Sequence, residues 1–147
     1  IVHGCRAGRH MEAFWDIYAR RISHFEGGVM MFDEAHRLGA YGSDLAMISL
    51  FFVKPYQDVI PIFHNEFKSK VLNLASFALR ALGRFSEALV ASRAGSQINV
   101  ANGDWTNASR EYSSIAEVEA ALGNLPASLE ASESGTTYGQ RSSIKTL

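Results

Sequence analysis

Four side chains between positions 70 and 80 have the types and the spacing to bind an anion. Lys70 and Arg80 are cationic, Asn73 carries an amide and Phe77 is aromatic. Separations of three and four residues place all four on one face of an α-helix. The cations and the amide can donate charge-assisted hydrogen bonds to a carboxylate, while the ring supplies apolar contact. The pattern predicts a surface for an acidic or carboxylate-ended peptide, with an ordinary solvated helix face as the alternative.

The same face recurs later in the chain because the sequence contains an internal repeat. Residues 81–89 read ALGRFSEAL and residues 121–129 read ALGNLPASL, and Gly95 is matched by Gly135 forty positions on. A fixed period of this size is typical of stacked helical units, in which the first helix of each pair lines a concave groove. The forty-residue shift adds three candidates to the predicted binding face, namely Arg110, Ser113 and Glu117.

Two other groups of residues have types that are used in catalysis or metal binding, and we expect both to be structural. Residues 33–36 read DEAH, with which helicases hold magnesium, but the chain has no phosphate-binding Gly-x-x-x-x-Gly-Lys-Ser/Thr loop. Cys5 is the single cysteine, and the five histidines have no zinc-binding spacing. We therefore expect no enzymatic activity, no bound metal and no cofactor.

The composition of the 147 residues, 47% hydrophobic and 20% charged, predicts one globular domain. A formal net charge of -1 supplies no basic field for nucleic acid or an anionic membrane, so we expect neither partner. The longest apolar run, residues 46–53 broken by Ser49, is far shorter than the roughly 20 residues that span a bilayer. One cysteine cannot form an internal disulfide, which favours a cytoplasmic protein. The start at Ile1 without a methionine suggests a fragment of a longer protein.

Hydrophobic periodicity predicts helices along the whole chain and no strand. The predicted helices are residues 11–22, 29–37, 43–52, 65–81, 86–100, 105–122 and 126–137. Residues 54–63 are expected to form one long connection, and residues 140–147 a flexible tail. Ser43 and Ser86, at the start of their predicted helices, and Asp104, just before the helix at 105, are expected to be N-caps.

Glycines at the predicted turns carry a resemblance to a known family. Each is followed five positions later by a small residue or, in one case, by an aspartate: Gly8/Ala13, Gly39/Asp44, Gly83/Ala88 and Gly123/Ser128. The pattern resembles the tetratricopeptide repeat, from which the aspartate departs. The resemblance implies an all-α fold of antiparallel helix-turn-helix repeats stacked as a short right-handed α-solenoid. It also implies one repeat domain, residues 1–139, that begins with an incomplete repeat.

A narrower resemblance concerns the parent protein. Five short segments, residues 3–8, 38–40, 44–45, 79–84 and 104–108, are similar to repeat regions that follow the nucleotide-binding module in bacterial signalling ATPases of the STAND/NACHT type. In such proteins the repeats sense or assemble while another domain does the chemistry. The resemblance implies a non-catalytic module of a bacterial regulatory protein that binds a protein or peptide. The alternatives are a structural segment that forms a homodimer through its end helices, and a small-molecule sensor.

Overall fold

The computed structural model describes residues 1–22 and 39–144, and helices dominate both segments. The elements, in chain order, are the helices α1 (Val2–Arg6), α2 (His10–Glu12), α3 (Ala13–Ile22) and α4 (Tyr41–Ile48), the strands β1 (Phe52–Lys54) and β2 (Asp58–Val59), and the helices α5 (Asn65–Ala81), α6 (Phe85–Ala101), α7 (Trp105–Ala121) and α8 (Leu125–Ile144). The predicted helix 29–37 and the DEAH motif lie outside the described residues. The described chain is all-α apart from one small hairpin.

Helices α5 to α8 form antiparallel pairs in which each helix packs against the next. Ser76 on α5 meets Ser92 on α6, with their hydroxyl oxygens 2.6 Å apart. Leu72, earlier on α5, lies against Gly95, later on α6, so the two helices run in opposite directions. The short connections between these helices impose the reversal, because a brief link leaves no room for a crossover. The predicted bounds of α5, residues 65–81, are confirmed.

Glycines end the helices at the turns that the sequence predicts. Gly83 and Gly123 adopt positive φ angles of 71° and 79°, and Gly103 does the same at 67°. At each turn the glycine amide and the next amide donate to carbonyls of the last helical turn, as in Gly83 to Arg80 and Arg84 to Leu79. This motif requires the left-handed conformation that glycine adopts without steric cost. The turns therefore recur every twenty residues, one per helix, within the forty-residue sequence period.

Asp104 caps α7 as predicted. Its carboxylate accepts the backbone N–H of Asn107 at 3.1 Å and the side-chain amide of the same residue at 2.7 Å. Ser86 and Ser43 are not caps, because α6 begins one residue before Ser86 and α4 begins two residues before Ser43. The positions before those helices are Arg84 and Ala40, whose side chains make no capping hydrogen bond.

Replacement of the confirmed cap should weaken the fold measurably. We expect Asp104→Ala to lower the free energy of unfolding by about 1 kcal/mol, because two amide donors at the start of α7 lose their acceptor. Ser86→Ala is the matched control and should change this free energy by less than about 0.5 kcal/mol. Urea unfolding followed by circular dichroism measures both. Equal losses in the two variants would contradict the assignment of Asp104 as the cap.

Helix α8 is longer than the sequence predicts. It continues to Ile144, so residues 140–144 of the expected tail are helical. The Arg141 guanidinium lies 5.4 Å from the centre of the Trp105 ring and 5.7 Å from that of Tyr138. The Ser142 hydroxyl is 2.5 Å from that of Thr106 on α7. These contacts hold the last turns of α8 against the start of α7, which the polar composition of this segment does not reveal.

The prediction that the chain contains no strand is wrong for one short segment. After α4 a single 3-10 turn, Ser49–Phe51, leads into the antiparallel hairpin of β1 and β2, in which Phe52 pairs with Val59. The predicted helix 43–52 therefore ends early, and part of the predicted connection 54–63 is the hairpin. Strands of three and two residues are too short to show an alternating pattern in the sequence.

An aromatic cluster joins the amino-terminal helices to α5. Phe14 on α3 lies at its centre, 2% exposed, and touches several other rings. Its ring partners are Trp15, Tyr18, Phe51, Phe63 and Phe67. The buried Tyr18 hydroxyl donates to the Asp44 carboxylate at 2.8 Å. Burial raises the pKa of Asp44, and this hydrogen bond opposes the rise. Asp44 is thus a buried carboxyl group that has a hydrogen-bond donor.

Candidate binding face

The predicted binding residues of α5 lie beside the buried side of that helix. Val71, Leu74, Ala75 and Ala78 are buried at 2% exposure or less. The predicted binding residues lie next to the buried side of α5 and toward its solvent-facing side, because an amphipathic helix has an apolar stripe on one side and polar residues on the other. Asn73 is exposed, while Phe77 and Arg80 are half-buried, and so is Lys70.

Two polar contacts join α5 to α7 across this surface. The Asn73 side-chain amide donates to Oε1 of Glu111 at 2.6 Å. One guanidinium nitrogen of Arg80 lies 3.6 Å from Oε2 of Glu117. The two contacts are about two helical turns apart on α5 and nearly as far apart on α7, and they occur in the same order along both helices. Helices α5 and α7 are therefore neighbours that run in the same direction.

Phe77 extends the surface toward α4. Its ring lies 6.0 Å from the ring of Tyr41, centre to centre, in an edge-to-face arrangement. Tyr41 is the first residue of α4 and is half-buried. The sequence did not mark Tyr41, since nothing in its local pattern indicates that α4 contacts α5 at this point. An aromatic pair of this kind supplies apolar contact area at the edge of a polar surface.

The two predicted binding cations of α5, Lys70 and Arg80, already have carboxylate partners. The Lys70 ammonium lies 3.0 Å from Oε1 of Glu66, one turn earlier on the same helix. Arg80 forms an ion pair with Glu117, whose side chain is 72% exposed. Exposed ion pairs contribute about 0–1 kcal/mol, because water screens them and both side chains lose freedom. An anionic ligand can therefore displace either glutamate at a small free-energy cost.

The structure does not bring all the predicted residues together. Arg110 is exposed and makes no ion pair within the described part of the chain. Ser113 donates its hydroxyl to the Ser109 carbonyl at 3.0 Å and lies against Gly135 of α8. Lys70, Asn73, Phe77, Arg80 and Glu117 share one surface, which we name the α5/α7 face. The forty-residue shift pairs Asn73 with Ser113, but Asn73 contacts Glu111, and Ser113 contacts Gly135 of α8.

Glu111 lies beneath the α5/α7 face and was missed by the sequence analysis. It is 2% exposed, and its Oε2 has no hydrogen-bond partner. Burial raises the pKa of Glu111, while the polar groups of Asn73 and Ser92 and the charge of Arg80 oppose the rise. A signal existed in the sequence, because Glu111 interrupts the otherwise apolar stripe of Ala108, Ile115 and Val118. A carboxyl group thus lies at the junction of α5, α6 and α7.

These elements define the class of the protein as an all-α protein of packed antiparallel helices with a polar face between α5 and α7. No protein-family model matches the chain, and neither a curated protein sequence nor a solved structure matches it. In residues 1–22 and 39–144, no helix has both the length and the apolar character to cross a membrane. The same residues contain no group of three or more side chains that could hold a metal ion.

Proposed function

We propose that this chain is a non-catalytic helical-repeat module of the tetratricopeptide type, whose α5/α7 face binds an acidic or carboxylate-ended peptide. The observation that carries the proposal is the pair of contacts between α5 and α7, Asn73 to Glu111 and Arg80 to Glu117. They support a stack in which the first helices of two successive hairpins lie side by side. A surface built from such helices is continuous and suits an extended ligand.

The chemistry of the α5/α7 face favours an anionic ligand. A ligand carboxylate that replaces Glu117 gains the Arg80 guanidinium, which can donate two parallel hydrogen bonds. A second ligand carboxylate can replace Glu66 as the ion-pair partner of Lys70 in the same way. The side-chain nitrogen of Asn73 donates to Glu111. Its side-chain carbonyl oxygen is a separate acceptor that can take a hydrogen bond from a backbone N–H of the peptide. The Phe77 ring then packs against an apolar side chain of the ligand.

The setting of the module belongs to the same proposal. The similarity of residues 3–8, 38–40, 44–45, 79–84 and 104–108 to STAND/NACHT-type repeat regions supports a place in a larger bacterial regulatory protein in the cytoplasm. There the module recognises a partner while another domain performs catalysis. The mechanism on this chain is recognition only, with specificity set by the spacing of Lys70 and Arg80, which is about 15 Å along the helix axis.

Removal of the two cations tests the proposal. The probe is a set of fluorescein-labelled decapeptides that end in Asp-Asp-Glu, with either a free carboxylate or an amide at the carboxyl terminus. We expect the combined Lys70→Ala and Arg80→Ala variant to bind the free-carboxylate peptides at least fivefold more weakly, a loss of about 1 kcal/mol. Fluorescence anisotropy at two salt concentrations gives the dissociation constants, because charge contacts weaken as salt rises.

A matched control removes the same charge elsewhere. Arg20 and Arg21 are exposed cations on α3, outside the α5/α7 face. The combined Arg20→Ala and Arg21→Ala variant should bind as the wild-type protein does. Equal weakening in both double variants would reduce the effect to net charge, and absence of binding to every peptide in the set would overturn the proposed function.

A further inference from the structure

One side of α6 is covered by α7, and two of its residues, Leu89 and Arg93, make the contact. Leu89 packs against the Ile115 and Ala116 cluster of α7. One turn later the Arg93 guanidinium lies 2.5 Å from Oε1 of Glu119, a residue that is 3% exposed. Ser96, on the same helical stripe, is 2% exposed. The contact therefore combines an apolar side chain with an ion pair that has one buried member, and a small buried residue follows on the same stripe.

The equivalent stripe of α8 is open to solvent. Forty positions after Leu89, Arg93 and Ser96 stand the residues that we name the end stripe: Leu129, Glu133 and Thr136. All three are exposed, and Leu129 is 63% exposed. Leu125, one turn earlier, is 67% exposed. Helix α8 turns its other side to α7, where its buried residues are Ala131 and Gly135.

The charge on the end stripe is opposite to that of its counterpart. Where α6 offers Arg93 to the acidic Glu119 of α7, α8 offers the acidic Glu133. Consider a helix that packs on the end stripe in the way that α7 packs on α6. It pairs favourably with Glu133 only if it carries a cation at the position that Glu119 has in α7. Leu125 and Leu129 supply the apolar contact, while Thr136 is small enough for close approach of a helix backbone.

We propose that the end stripe docks an amphipathic helix that carries a lysine or arginine opposite Glu133. The proposal goes beyond the peptide-binding function, since it concerns another surface and another class of ligand. The partner is a helix of a different polypeptide. In each copy of this chain, α7 has the complementary shape but already lies between α6 and α8. Its own Glu119 is also occupied by Arg93 and by the Asn124 amide.

A charge-reversal experiment tests this inference. The probes are two side-chain-stapled, fluorescent peptides with the sequence of α7, one with Glu119 and one with the Glu119→Arg change. We expect the arginine peptide to bind the wild-type protein at least fivefold more tightly than the glutamate peptide. The Glu133→Arg variant of the protein should reverse this preference by a similar factor. Leu129→Ser should weaken binding of both peptides at least fivefold, since the apolar anchor is lost.

Further measurements separate the other outcomes. The Lys70→Ala and Arg80→Ala variant should bind the arginine peptide as the wild-type protein does, so failure of the peptide-groove proposal leaves this inference standing. Circular dichroism verifies that each variant is folded. Absence of binding, or a charge preference that Glu133→Arg leaves unchanged, overturns the inference. A dimer in light scattering that Leu129→Ser dissociates also overturns it, because the end stripe would then seat a second copy.

Discussion

Replacing Phe14 with alanine is expected to lower the free energy of unfolding by about 3–5 kcal/mol. Phe14 is 2% exposed, and its ring is 4.3 Å from that of Phe67 on α5 and 5.2 Å from that of Phe51. Truncation removes buried apolar area and leaves a cavity, and it also removes several edge-to-face ring contacts. The loss should be large because this residue connects α3 to α5.

The matched control for Phe14→Ala is Ile17→Ala on the same helix. Ile17 is 37% exposed, so its truncation should cost less than about 1 kcal/mol. Urea unfolding measured by circular dichroism and by tryptophan fluorescence compares the two. Trp15 reports on the aromatic cluster and Trp105 on the α7/α8 pair. Similar small losses in both variants would show that α3 does not pack on α5 as described.

Replacing Glu111 with glutamine is expected to raise the free energy of unfolding by about 1–3 kcal/mol at neutral pH. The carboxyl group is buried among α5, α6 and α7, and Oε2 has no partner. At neutral pH the protein either loses the hydration of a buried carboxylate or takes up a proton to avoid that cost. A glutamine keeps the acceptor for the Asn73 amide and carries no charge.

The pH dependence has a definite sign. Burial raises the pKa of Glu111, so the folded state binds the proton more tightly than the unfolded chain does. Stability contributed by this group is complete below the unfolded pKa of about 4.3 and is lost as pH rises toward and through the raised value. The gain from Glu111→Gln should therefore be small at pH 4 and should grow toward neutral pH. Urea unfolding at a series of pH values gives both curves.

Glu117 supplies the control for the Glu111→Gln stability measurement, and Asp44 is a second source of pH dependence. Glu117→Gln changes an acid on the same helix whose side chain is 72% exposed, and it should alter stability by less than about 0.5 kcal/mol. Asp44 is another buried carboxyl with a raised pKa, so some pH dependence of the same sign should remain in the Glu111→Gln variant. A Glu111→Gln variant that is less stable than wild type at neutral pH would instead indicate a carboxylate stabilised by Arg80.

Glu111 also connects the stability of the stack to its proposed function. Its Oε1 holds the Asn73 amide, so the orientation of one residue of the α5/α7 face depends on a group in the core. The glutamine variant retains that acceptor. We therefore expect Glu111→Gln to leave the Asn73 side chain in place, whereas Arg80, whose charge acts on Glu111, belongs to both the α5/α7 face and the helix junction.

Features that depend on neighbours in the chain were readable from the sequence. The turns at Gly83 and Gly123 need a residue without a Cβ at positive φ, and the Asp104 cap acts on the amide of Asn107, three residues away. The bounds of α5 follow from its apolar period, which is a local property. The hairpin of β1 and β2 was missed because its strands are shorter than any recognisable alternation.

Contacts between helices depended on the tertiary structure. The repeat indicated that Asn73 and Ser113 are equivalent, but Asn73 meets Glu111, at a separation of 38 positions instead of forty. This offset depends on the distance between α5 and α7 and on their relative position along the helix axis. At Gly95 an added Cβ would lie 3.5 Å from Leu72 and 3.6 Å from Glu111, so α5, α6 and α7 converge there.

By itself, therefore, the sequence determined a chain of helices with a forty-residue period, glycine-terminated turns and a cationic stripe on α5. The tertiary structure decided that Arg80 meets Glu117, that Ser113 lies against Gly135 of α8 and that Glu111 is buried under Asn73. The physical reason is that helix formation and capping are short-range, whereas the partners of a side chain depend on the axial offset and distance of helices that meet only after folding.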